Sequence, residues 1–148
     1  MIPKREYFRI EEFLPRDFYD KYKGKGERLW LIFDDRALWT IEALRKRYGK
    51  IILNDWLWRK NDPRANHYRG FRTFDCKVGA SLSQHKFGRA LDSFPLEAGV
   101  EKIRKDIIDN PDEDEFKFIT CIEMDVSWLH FDVRNWDRNK YGILKIKP

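Results

Sequence analysis

Two short stretches, far apart in the chain, each set a histidine close to an aspartate, and they restrict the fold more than any other feature. The first is Ser83-Gln84-His85-Lys86-Phe87-Gly88-Arg89-Ala90-Leu91-Asp92, in which an imidazole and a carboxylate flank a glycine and small or apolar residues precede the acid. The second is Trp128-Leu129-His130-Phe131-Asp132, a histidine within an aromatic, strand-forming run. A first-row metal such as zinc accepts both ligand types at about 2.0–2.2 Å, and three ligands with one open position form the usual catalytic arrangement. His85, Asp92 and His130 are the expected three. A strand repeats every two residues, so Asp132 falls on the side of His130. It is either a ligand in place of Asp92 or an acceptor that fixes an imidazole N–H. The third histidine, His67, lies in a polar stretch without a partner in register and is expected at the surface.

The pattern Ser-x-His-x-x-Gly-x-Ala-x-Asp, met at Ser83, His85, Gly88, Ala90 and Asp92, and Trp-x-His-x-Asp, met at Trp128, His130 and Asp132, carry a resemblance to a known family. The chain resembles the zinc D-alanyl-D-alanine carboxypeptidases and L-alanyl-D-glutamate endopeptidases, a family that includes phage endolysins and shares the hedgehog fold. With Arg72 in Gly70-Phe71-Arg72-Thr73, the likeness spans roughly residues 35 to 135. It implies zinc as cofactor, held by His85, Asp92 and His130 with Asp132 in support. Peptidoglycan or its stem peptides would be the substrate. Arg72 and Ser83 would face that substrate, with Arg72 on its carboxylate or on the oxyanion, a role that suits a bidentate guanidinium. Several members carry an acid three positions before the last histidine, where this chain has Ser127. Hydrolysis needs a group that takes a proton from water and returns one to the leaving amine. Glu123 is the first candidate and Asp125 the second, because an unbroken strand would set both on one face with Ser127.

Composition limits the alternatives. A chain of 148 residues, 42% hydrophobic and 37% charged, is long enough for one domain with its own core. Its net charge of +5 admits an anionic partner, whether nucleic acid, a membrane surface or a wall polymer. No nucleic-acid motif accompanies that charge, and nucleic acid is not the expected partner. Cys76 and Cys121 are too few for a disulfide framework and are expected as free thiols. Residues from Met1 to Tyr7 lack an apolar leader segment, and no run is long enough to span a membrane. A wall-active protein of this kind would be made in the cytoplasm as a monomer. It would reach its substrate through holin release, lysis or packaging in a virion. The competing expectation is a zinc-containing virion or wall-binding module without turnover.

The rest of the chain reads as an α+β domain with an antiparallel sheet flanked by helices. A short helix is expected from Arg16 to Lys23. A longer one, capped by Asp34 or Asp35, carries Leu38, Ile41, Leu44 and Tyr48 on one face and ends at Gly49. Ile51 to Leu53 reads as a strand, residues 59–70 as a polar surface loop, and Ala90 to Phe94 as a strand presenting Asp92. A helix with an apolar stripe of Val100, Ile103, Ile107 and Ile108 stops at Asn110-Pro111. Phe116 to Glu123 and Trp128 to Val133 read as two strands or one bent strand, and Ile143 to Ile146 as a short edge strand.

Overall fold

The structure, a computed structural model, describes residues 5–148; Met1 to Lys4, part of the stretch read for a leader, lie outside the described residues. Four α-helices are found among these residues: α1 (Arg16–Tyr22), α2 (Asp35–Tyr48), α3 (Val100–Asp109) and α4 (Arg138–Tyr141). Five strands form one sheet: β1 (Ile51–Ile52), β2 (Ala90–Pro95), β3 (Cys121–Glu123), β4 (Leu129–Asp132) and β5 (Leu144–Ile146), in the order β1-β2-β4-β3-β5. No helix among the described residues is long and apolar enough to cross a membrane.

The sheet corrects one expectation. Its β1–β2, β2–β4 and β4–β3 pairs are antiparallel, but β5 lies parallel to β3, so the sheet is mixed. The reason is connectivity. After β4 the chain reverses through α4 and passes β3 to reach its free edge; β3 and β5 thus both run opposite to β4, and so lie parallel to each other.

Helix α2 follows from its sequence. Asp34 caps it by accepting a 2.9 Å hydrogen bond from the Arg36 N–H, and Leu38, Ile41 and Leu44 are buried at helical spacing. It ends at Gly49, whose φ of 83° is a conformation that glycine adopts at little cost. The Tyr48 hydroxyl donates to Asp106 at 2.8 Å and ties α2 to α3. At the N-terminal side, Phe13 meets Phe8, Trp30 and Phe33 edge-on, and this aromatic group joins the same core as α2 and α3.

Strand alternation then gives the sheet two faces. Leu91, Phe131 and Ile122 stand in register across β2, β4 and β3 and pack into the core with Ile103 and Ile107 of α3. The residues between them point the other way: Asp92 opposite His130, and Ala90 opposite Asp132. Residues 90–93 are therefore buried on both faces, one side against helices and the other against the polar cluster described next.

Candidate metal centre

The sheet register brings the two motifs together. Asp92 and His130 are partners across β2 and β4, and Asp92 Oδ1 lies 2.7 Å from His130 Nδ1. His85 comes from a 3-10 turn, Gln84–Phe87, that leads into β2, and its Nε2 is 3.2 Å from Asp92 Oδ2. Ser83 caps that turn, its hydroxyl accepting from the His85 N–H at 3.4 Å. All three side chains are buried, and one ligand atom from each lies within 4.8 Å of the others.

The turn needs Gly88. This residue has φ 66°, and a Cβ there would stand 2.0 Å from the Ile32 carbonyl oxygen. The motif glycine thus serves a left-handed turn against a neighbouring backbone.

The far nitrogen of each imidazole is held by an acceptor. His85 Nδ1 is 2.7 Å from the Gly70 carbonyl, and His130 Nε2 is 3.0 Å from Asp132 Oδ2. These contacts orient Nε2 of His85 and Nδ1 of His130 toward the two oxygens of Asp92. A metal-binding imidazole usually has its other nitrogen engaged in this way. Two nitrogens and one ionised carboxylate oxygen fit zinc or a similar divalent ion.

Electrostatics support the ionised carboxylate. Burial opposes the charge of Asp92, yet the His85 and His130 rings hold its carboxyl well below the usual carboxylate range. Burial pushes His85 down, Asp92 only partly counters it, and the charges of Arg72 and His130 add to the lowering. For His130 burial also disfavours the cation, but the hydrogen bonds to Asp132 and Asp92 overcome it and raise the group to about 9. Burial works against the charge of Asp132 as well, and it is outweighed by Arg134 and His130, which keep the carboxyl low.

Around the cluster lies a cavity of about 480 Å³ whose wall includes Arg72, Ser83, Glu123 and Trp128. Arg72 reaches Asp92 Oδ2 with Nη2 at 3.1 Å and the Tyr68 carbonyl with Nε at 2.7 Å. Glu123 Oε2 is 3.7 Å from His130 Nδ1. Asp125 is placed differently from the expected alternation. β3 ends at Glu123, Asp125 adopts φ 61°, and its side chain, 66% exposed, does not line the cavity but pairs at 3.1 Å with Lys147 at the wall's edge. The left-handed residue breaks the two-residue repeat, so Glu123 and Asp125 do not share a face. Ser127 is exposed. His67 stacks on Trp56, apart from the cluster.

Several contributors were not read from the sequence. The polar loop of residues 59–70 is irregular, as expected, and exposed or half-buried up to Arg69, but its end turns inward. There the Arg69 carbonyl accepts from the Asp92 N–H at 2.8 Å, and Gly70 is buried under His85. A backbone carbonyl has no sequence signature. Arg104, within the apolar stripe of α3, is almost fully buried and donates from Nη2 to the carbonyls of Val126 and Trp128, holding the loop that enters β4. Two polar atoms of residues in the cavity wall, Trp128 Nε1 and Gln84 Oε1, are buried without a hydrogen-bond partner among the described residues. Arg134 continues the two-residue repeat of Trp128, His130 and Asp132, and that repeat was a signal available in the sequence. No protein-family model matches this chain, and no curated protein or solved structure gives a significant match to it.

Proposed function

We propose that this chain is a zinc-dependent peptidase acting on peptidoglycan stem peptides, of the D-alanyl-D-alanine carboxypeptidase or L-alanyl-D-glutamate endopeptidase type that its motifs resemble. The observation that carries the reading is the meeting of both motifs in one buried His85–Asp92–His130 group at the wall of a cavity. Their donor atoms suit zinc, which when bound would act as a Lewis acid toward a scissile carbonyl.

The protein's own groups account for the remaining tasks. With zinc bound, Asp132 would keep His130 in the tautomer that presents Nδ1, and the Gly70 carbonyl would do the same for Nε2 of His85. Glu123 stands beside His130 with its carboxylate at the cavity wall, where it can accept a proton from water and return it to the leaving amine. Arg72 pairs with Asp92 at 3.1 Å and would lend positive charge to the place where an oxyanion develops.

Metal analysis and turnover on purified peptidoglycan test this reading together. The expected result is one zinc per chain, release of D-alanine or of stem-peptide fragments, loss of that release on chelation, and recovery on adding zinc back. Zinc binding without any release would leave a metal-containing wall-binding or virion module.

A further inference from the structure

The cavity wall holds a second guanidinium that neither motif assigns. Arg134 follows Asp132 by one further step of the strand repeat, and it lines the same cavity as Trp128 and His130. Its Nε and Nη2 donate to the two oxygens of Asp132 at 2.7 and 2.6 Å, and its backbone N–H adds a 3.2 Å bond to Oδ1. Asp132 is fully buried, so this fork fixes the plane of the guanidinium. The remaining nitrogen, Nη1, has no protein acceptor among the described residues. Lys147, the other cation at this side of the wall, already pairs with Asp125.

Arg72 differs. All three of its nitrogens have protein acceptors: Nε on the Tyr68 carbonyl, Nη2 on Asp92, and Nη1 at 3.5 Å from the Val78 carbonyl. Gly79 closes against it, since a Cβ at that position would stand 2.6 Å from Nη1. The Arg72 side chain is 10% exposed and that of Arg134 is 26% exposed. Of the two, Arg134 offers the open edge. Because Asp132 has already ordered that edge, a ligand meets little further entropic cost there.

We infer that Arg134 is a ligand-binding residue whose Nη1 holds a carboxylate, so that the cavity selects anionic peptides over neutral ones. The inference rests on the peptidase reading for the peptide nature of the ligand. The probes are a stem pentapeptide ending in D-alanyl-D-alanine and the same peptide with its carboxylates amidated. Each is titrated by calorimetry into zinc-saturated protein carrying Glu123→Gln, so that the ligand survives the measurement. The acid should bind about 10–100-fold more tightly than the amide, as expected of a charge-assisted hydrogen bond. Adding Arg134→Gln should bring that ratio near one, whereas Arg72→Lys should preserve it. Both peptides are measured on the same variant, so any loosening of Asp132 and His130 affects them equally and leaves the ratio untouched. If the glutamine variant does not fold, Arg134→Lys keeps a cation on Asp132 without a second edge and should lower the ratio in the same way. A ratio that survives at Arg134 but collapses with Arg72→Lys overturns the inference and leaves the peptidase reading standing. Failure of the parent protein to bind either peptide overturns both.

Discussion

Asp92 and His130 face each other across β2 and β4, with Oδ1 of one 2.7 Å from Nδ1 of the other. This pairing joins two motifs that are remote in sequence, and the cavity chemistry is built around it. In the metal-free protein a proton on His130 bridges the two groups, and a bound cation would compete for the same lone pairs.

That competition sets a pH dependence. His130 rises from the ordinary 6.5 to about 9, because Asp132 and Asp92 outweigh the cost of its burial. A raised folded-state value means that the protonated ring stabilises the fold fully below 6.5 and that this support fades as pH climbs through about 9. Chelator-treated protein should therefore lose melting temperature across that window more steeply than zinc-loaded protein. Metal affinity should rise over the same interval, with proton release visible as a buffer-dependent heat of binding. A flat profile for the chelated protein would show that His130 is not the bridging cation.

The proton-transfer group is decided by two substitutions. Glu123→Gln keeps size and shape but removes basicity. It should retain zinc and lower muropeptide hydrolysis by about 10²–10⁴-fold, the usual worth of a positioned acid–base group. Asp125→Asn should change the rate little, since that side chain is mostly exposed, does not line the cavity and is paired with Lys147. The reverse order in steady-state rates would assign the role to Asp125.

Gly88 should tolerate no side chain. Gly88→Ala combines a left-handed φ of 66° with a Cβ 2.0 Å from the Ile32 oxygen. The expected loss is about 2–4 kcal/mol, from backbone strain together with displacement of the turn. His85 rides on that turn, so zinc content should fall along with melting temperature. Retention of both would refute the close approach.

Arg104 should matter for stability although it lies outside the cavity. Arg104→Met fills similar space but leaves the Val126 and Trp128 carbonyls without their buried donor. Chemical denaturation should show a loss of about 2–4 kcal/mol, in keeping with one buried and one partly buried hydrogen bond from a charged group. An unchanged midpoint would mean that the loop before β4 is held by other contacts.

Much of this protein was legible in its sequence because it depends on local rules. The cap at Asp34, the spacing of Leu38, Ile41 and Leu44, and Gly49 together define α2, and each acts within a turn or two of the chain. The two-residue period of β4 placed Asp132 beside His130, and the structure has them 3.0 Å apart. The two motifs named His85, Asp92 and His130, with Asp132 as the alternative to Asp92, and the first three meet in one cluster. Where the local rule was interrupted, the sequence reading lost its footing: a single left-handed residue at Asp125 ended the repeat and separated it from Glu123. What only the tertiary structure decided are relationships between distant segments. They include the Asp92–His130 register, the parallel placement of β5 against β3, the Gly70 carbonyl under His85, and the burial of Arg104 beneath the Trp128 loop. Backbone carbonyls are chemically alike at every position, and strand partners are chosen by global packing. No periodicity within one segment can specify which distant group it will meet.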